Sequence, residues 1–124
     1  MDWKSALSGG LALNRIGFGL AYLIDPRRSG QGWVGPRAQE RPATVLTRAL
    51  GARDLALGAG ALIAMRDDPR KARPWFAAHA LADGADLVAT LAAREGLPRR
   101  GYLFALGMAG ASTAIALLGA TRLE

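Results

Sequence analysis

The apolar residues of this chain fall in four long blocks, at roughly residues 5–24, 43–65, 74–93 and 101–121. Each is about the length of a helix that crosses a bilayer core, for which about 20 mostly apolar residues suffice. Breakers separate the blocks. The first stops at Asp25-Pro26, because proline disfavours helix in the residue before it. Residues 25–42 hold Pro26, Pro36, Pro42, Gly30, Gly32 and Gly35 and read as a loop. The second block ends in a charged turn, Arg66-Asp67-Asp68-Pro69-Arg70-Lys71, and Pro74 suits the first turn of the third. Gly96 and Pro98 interrupt residues 94–100, and the fourth block carries no charge at all. Short links between consecutive helices imply antiparallel neighbours. The pattern therefore predicts an all-α fold, an antiparallel four-helix transmembrane bundle, in a single domain over residues 1–124.

Small residues recur at helix-packing spacing: Ala6, Gly10 and Asn14; Gly51 and Gly58; Gly107 and Ala111; Gly110 and Ala114. Small side chains allow close backbone approach, so these positions are read as packing. Trp3, Tyr22, Trp75 and Tyr102 sit at block ends, where amphipathic rings meet lipid headgroups. The glycines of residues 29–35 follow a helix rather than a strand, which excludes a phosphate-binding or dinucleotide-binding loop. An interfacial or re-entrant loop anchored by Trp33 is the expectation there.

Composition narrows the function classes. There is no cysteine, which excludes disulfides, thiol catalysis and thiolate metal sites. Mean hydropathy is only +0.13, since the links are rich in arginine and the blocks use alanine and glycine beside leucine. The net charge of +6 comes mainly from basic residues between or beyond the blocks, where they attract anionic lipid headgroups rather than nucleic acid. The preference for arginine over lysine points to a GC-rich bacterial genome, a matter of codons rather than function; the expected location is a bacterial plasma membrane, as a multi-pass protein. No small-x-small cleavage site separates Lys4 from Asp25-Pro26, so the first block is expected to remain as an anchor. With four spans the basic residues of the links and ends divide six to seven between the two sides, which leaves orientation undecided. Leu123-Glu124 is given no structural weight.

The chemistry lies in what interrupts the blocks. Asn14 and Arg15, Arg53 and Asp54, and Asp83 and Asp86 fall near the middle of the first three. A charge at that depth costs about 2.5–3.5 kcal/mol on insertion scales, so it is normally paired and shielded from lipid. His79, Asp83 and Asp86 follow i, i+4, i+7 spacing and form one stripe, which Thr90 extends. Gly51, Asp54, Gly58 and Ala61 share a second face, while Arg53 points about 100° away towards a different neighbour. Two arginines and three aspartates nearly cancel; a protonated His79 would balance them, or else one aspartate stays protonated because burial raises a carboxyl pKa, and His79 is the expected titrating member. Four readings are open: ion pairs that set helix register, a polar pocket for a ligand, lipid headgroup or proton, a metal or catalytic site, and a soluble helical protein with a wet stripe. No recognised metal-binding spacing is present, and two arginines oppose a cation, so no metal is assigned.

The motifs Asp25-Pro26-Arg27, Gly51-Ala52-Arg53-Asp54-Leu55 and Ala82-Asp83-Gly84-Ala85-Asp86-Leu87 resemble those of small bacterial four-helix membrane proteins of the DoxX-like, domain-of-unknown-function type. The resemblance implies the four-helix membrane fold and supports Arg53/Asp54 and Asp83/Asp86 as the site. Some such proteins are linked to redox or quinone-associated complexes. The expectation is a non-enzymatic membrane protein, an accessory subunit or a binder of lipid or a small hydrophobic ligand such as a quinone, as a homodimer or within a larger membrane complex. A small proton-coupled carrier is the alternative, and an enzyme acting on a lipid-soluble substrate is third. No cofactor is specified.

Overall fold

A computed structural model describes residues 2–124. Among these the chain is all-helical, with five α-helices and no strand. They are α1 (Trp3–Ile24), α2 (Pro26–Val34), α3 (Arg41–Asp67), α4 (Arg73–Ala92) and α5 (Arg99–Arg122), with 3-10 turns at Gly35–Gln39, Pro69–Ala72 and Arg94–Gly96. The four long helices match the four apolar blocks to within about two residues at most ends.

Residues 25–42 depart from expectation: they are not a loop but α2 and a 3-10 turn. The reason lies in where the prolines sit. Pro26, Pro36, Pro42, Pro69 and Pro74 each occupy the first or second position of a helical segment, and Pro98 immediately precedes α5. At a helix start the missing N–H costs nothing and the fixed φ is already helical. All six prolines of the chain therefore start helices. Asp25 serves both sides of the first junction. Its N–H closes α1 on the Ala21 carbonyl, and its carboxylate accepts from the Arg28 N–H at 3.2 Å to cap α2. Gly35, at φ 71°, ends α2 in a backbone conformation that suits glycine, and Pro98 packs where its Cβ would be.

The long helices associate in two antiparallel pairs, α1 with α3 and α4 with α5. In the first pair the backbones meet at glycine. A Cβ on Gly51 would lie 2.7 Å from the Gly19 carbonyl oxygen, and one on Gly58 would lie 2.6 Å from that of Ala12. In the second, Gly119 receives the Phe76 ring, and Arg73 of α4 donates to the Leu123 carbonyl past the end of α5. Leu123 is fully buried in the apolar cluster of Leu11, Ala12, Ala61, Ala72, Phe76 and Ala116, so the closing residues carry more structural weight than expected. That cluster fills the end of the molecule where α1 and α4 begin. Short α2 lies across the opposite end, where Gly101 of α5 meets the Trp33 backbone and where Trp33 Nε1 donates to Thr90 Oγ1 at 3.2 Å. Trp33 thus anchors to the helices themselves rather than to a surrounding interface.

Only part of the expected packing code is used. Gly51 and Gly58 are contact points, whereas Gly10, Gly107 and Gly110 face open space. Gly19, Gly60, Gly101 and Gly119 are the further close approaches. By length and apolarity, α1 and α5 can cross a membrane. The charged and polar residues in the middle of α3 and α4 lower their mean hydropathy, and these two do not meet the same measure.

Gly58→Leu drives a side chain into the α1 backbone and is expected to destabilise by about 1–3 kcal/mol or more. Gly107→Leu adds a side chain to open space and should leave thermal unfolding in detergent almost unchanged. Comparing the two midpoints checks the assignment.

Candidate functional site

The site is built from one face each of α1, α3 and α4. On α1, Ser8, Leu11, Ala12, Arg15 and Gly19 form the buried stripe, at the three-, four- and seven-residue intervals of a helix face. On α3 the stripe is Thr44, Gly51, Asp54, Gly58 and Ala61, and on α4 it is Phe76, His79, Asp83 and Thr90. The smallness of Gly51 and Gly58 lets α1 approach α3 closely enough for Arg15 to reach across the interior.

The result is an alternating chain of charges, Asp83–Arg15–Asp54–Arg53–Asp86. Arg15 is 5% exposed and donates from Nη1 to Asp54 Oδ1 at 2.8 Å and from Nη2 to Asp83 Oδ1. Asp54 Oδ1 also accepts from Arg53 Nε at 3.2 Å and Nη2 at 3.1 Å. Arg53 then grips both oxygens of Asp86, at 3.0 and 2.7 Å. Fork-to-carboxylate pairing of this kind sets geometry as well as energy. Three helices are tied together, and both ends of the chain are carboxylates. Asp54, Asp83 and Arg15 are buried, while Asp86 and Arg53 are partly open at one edge.

The expected residues divide accordingly. Arg15, Arg53, Asp54, Asp83 and Asp86 are brought together by direct bonds. Arg53 reaches a different helix from the one Asp54 serves, as its position on α3 requires. Asn14 is exposed and makes no side-chain hydrogen bond; it stands at the rim of a cavity described below. His79 lies on the same stripe as Asp83 but outside the chain of ion pairs. It is fully buried, its ring edge-on to Phe76 at 5.1 Å, and neither ring nitrogen has a partner. One helical turn, about 6 Å, separates it from Asp83, and Arg15 reaches Asp83 instead. Among the described residues, no three acids or histidines are placed to hold a metal ion.

On the α2 side of the ion chain lies a cavity of about 90 Å³ between α1 and α5. Its floor is Arg15, Asp54, Asp83 and Asp86. Its walls are largely apolar and aromatic, with Phe18 and Tyr22 from α1, Trp33 from α2 and Phe104 from α5. Two polar atoms of the floor residues are buried without a partner, Arg15 Nε and Asp83 Oδ2. Buried polar atoms are rarely left so, and those that are call for an explanation. The sequence pattern marked Tyr22 and Trp33 as headgroup-zone residues, whereas both line the cavity, and it did not mark Phe18 or Phe104. Phe18 and Tyr22 stand three and seven residues beyond Arg15 and therefore share its face, which was a usable signal. Nothing in the charge-free α5 marks Phe104.

Comparison with protein-family models, with curated proteins and with solved structures returned no match to this chain.

Arg15→Met leaves Asp83 without a cation and Asp54 with only one, and is expected to cost about 3–5 kcal/mol, the usual range when one partner of a buried pair is removed. Pairing it with Asp83→Leu should recover a substantial part of that loss. Chemical or thermal unfolding of the two variants measures the coupling, and purely additive losses would show that the two residues act independently.

Proposed function

We propose that this chain is a multi-pass membrane protein of a bacterial plasma membrane, in which α1, α3, α4 and α5 form an antiparallel four-helix transmembrane bundle. We further propose that it binds a small amphiphilic ligand taken from the bilayer. The observation that carries the reading is the cavity: apolar walls, a buried ionic floor, and a rim at Asn14 and Phe104. Asn14 is at the midpoint of α1. An amphiphile entering at that depth would keep its tail among lipid and set its polar head on the ion chain. A volume of about 90 Å³ admits a small head group, not a whole lipid.

The surface supports a membrane setting. Trp3, Ile24, Val45, Leu46, Ile63, Leu81, Val88, Leu103, Phe104 and Leu117 are all at least half exposed. A lipid environment removes the cost of that exposure. Pairing the charges internally is what a bundle surrounded by hydrocarbon requires. The resemblance to DoxX-like proteins agrees with this reading, in which the role is that of a ligand-binding or accessory subunit rather than an enzyme.

The charge distribution adds an orientation. The end covered by α2 carries Arg27, Arg28, Arg37, Arg41, Arg48, Arg94, Arg99 and Arg100 against Asp25, Glu40 and Glu95. The other end carries six basic residues, of which Arg70 and Lys71 are paired with Asp68 and Asp67, as Arg37 is with Glu40 at the α2 end. With Arg48 of α3 counted at the α2 end, basic residues number eight to six, and on that excess we propose that the α2 end faces the cytoplasm.

Three experiments test the reading. Native mass spectrometry of gently solubilised protein should show a retained small ligand that Asp83→Asn abolishes while the fold survives. A protein that stays monodisperse in buffer without any amphiphile would end the membrane assignment. Because the chain has no cysteine, Arg28→Cys and Arg70→Cys give clean single-site reporters. A membrane-impermeant maleimide applied to intact cells should label position 70 and not position 28.

A further inference from the structure

Resting on the ligand-binding reading above, we infer that the cavity takes a lipophilic monocation, a protonated amine or quaternary ammonium. Two independent features of the site carry this. The first is the charge count of its floor. The chain Asp83–Arg15–Asp54–Arg53–Asp86 contains three carboxyl groups and two guanidiniums, so with all three carboxylates ionised it carries one negative charge in excess. His79 supplies no compensating contact, because it makes no bond to any member. The carboxylates line the cavity, Asp83 and Asp54 buried and Asp86 partly open, and two floor atoms, Asp83 Oδ2 and Arg15 Nε, are buried without a partner. In a low-dielectric surrounding an uncompensated carboxylate is costly; taking up a proton relieves it, and so does a ligand of opposite sign, which the ionised chain would draw in.

The second feature is the walls. Four of the eight aromatic residues of the chain, Phe18, Tyr22, Trp33 and Phe104, line this one small cavity. They come from three different helices, so no single periodicity put them there. Phe18 and Tyr22 stand 6.0 Å apart with their rings tilted by 41°, and the Thr90 hydroxyl holds the Trp33 indole. Aromatic faces attract cations through the ring quadrupole, and cages of several rings recognise quaternary ammonium groups. An anion would meet three carboxylates. A neutral ligand would gain from the walls but leave the excess charge where it is. The small cavity suits an ammonium head, and the opening at Phe104, 54% exposed, leaves room for an apolar tail outside.

The test compares two isosteres that differ only in charge, trimethylphenylammonium and tert-butylbenzene. Each is titrated into the purified full-length protein in a maltoside detergent, with tryptophan fluorescence as the readout. The cation is expected to bind at least tenfold more tightly. Asp86→Asn, which makes the ion chain neutral while keeping an acceptor for Arg53, should remove that preference. Phe104→Leu changes an exposed wall residue that the fold does not need, and should weaken the cation by about fivefold with little effect on the neutral probe. Equal affinity for the two probes, or a preference for the neutral one, overturns the monocation inference and leaves the cavity reading standing. The same holds if neither probe binds but native mass spectrometry still finds a retained ligand lost with Asp83→Asn. Absence of both probe binding and any retained ligand overturns the two readings together.

Discussion

The guanidinium of Arg15 is the contact on which the rest of this molecule depends. It joins Asp54 on α3 to Asp83 on α4, and Arg53 extends the chain to Asp86. The four long helices otherwise form two pairs with far less contact between them. Buried ion pairs add little net stability relative to a well-packed apolar core, but their directional bonds select one arrangement of the elements. Apolar surface alone would allow the two pairs to slide or rotate against each other. A guanidinium that must meet two carboxylates on two different helices removes that freedom.

The same chain divides the interior. On one side Phe76, Ala12, Ala61, Ala116 and Leu123 pack closely around small side chains. On the other, α1 and α5 separate and aromatic rings line a cavity. The division follows from side-chain size. Gly19, Gly51, Gly58 and Gly119 let helices meet closely where they occur, while Phe18, Tyr22 and Phe104 line the open space. Short α2 then covers the open end, fixed by Trp33 to Thr90 and by Gly101 against its last turn. A site that is polar at its base and apolar at its walls is the ordinary construction of a small-molecule pocket. What distinguishes this one is that its polar base also holds the helices in place. The proposed binding and the structure therefore draw on the same residues, which is why paired substitutions and charge-only probes are needed to separate them.

His79 shows where reasoning from spacing ended. Its place four residues before Asp83 put it on the right face, and it is indeed fully buried. Sharing a face does not imply sharing a network, because a helix rises about 6 Å over those four residues. The prolines of residues 25–42 give a second case. Read as interruptions they predict a loop; read by position they start helices. The difference depends on whether the following residues find something to pack against, as Gly30 does against Thr47 and Ala38.

The amino-acid sequence by itself determined the four long helices, their limits and the five charges that face inward, because periodicity and hydrophobicity are local properties of a chain. It also determined that Asp54 and Arg53 serve different neighbours, since a residue step of 100° leaves no other choice. Only the tertiary structure decided which acid meets which base, that the chain of charges ends in carboxylates, and that Phe18, Tyr22, Trp33 and Phe104 enclose one space. Those facts depend on how far apart the helix axes stand and how each is rotated. Both are set by glycine contacts between residues as distant in sequence as Ala12 and Gly58, and no local pattern records them.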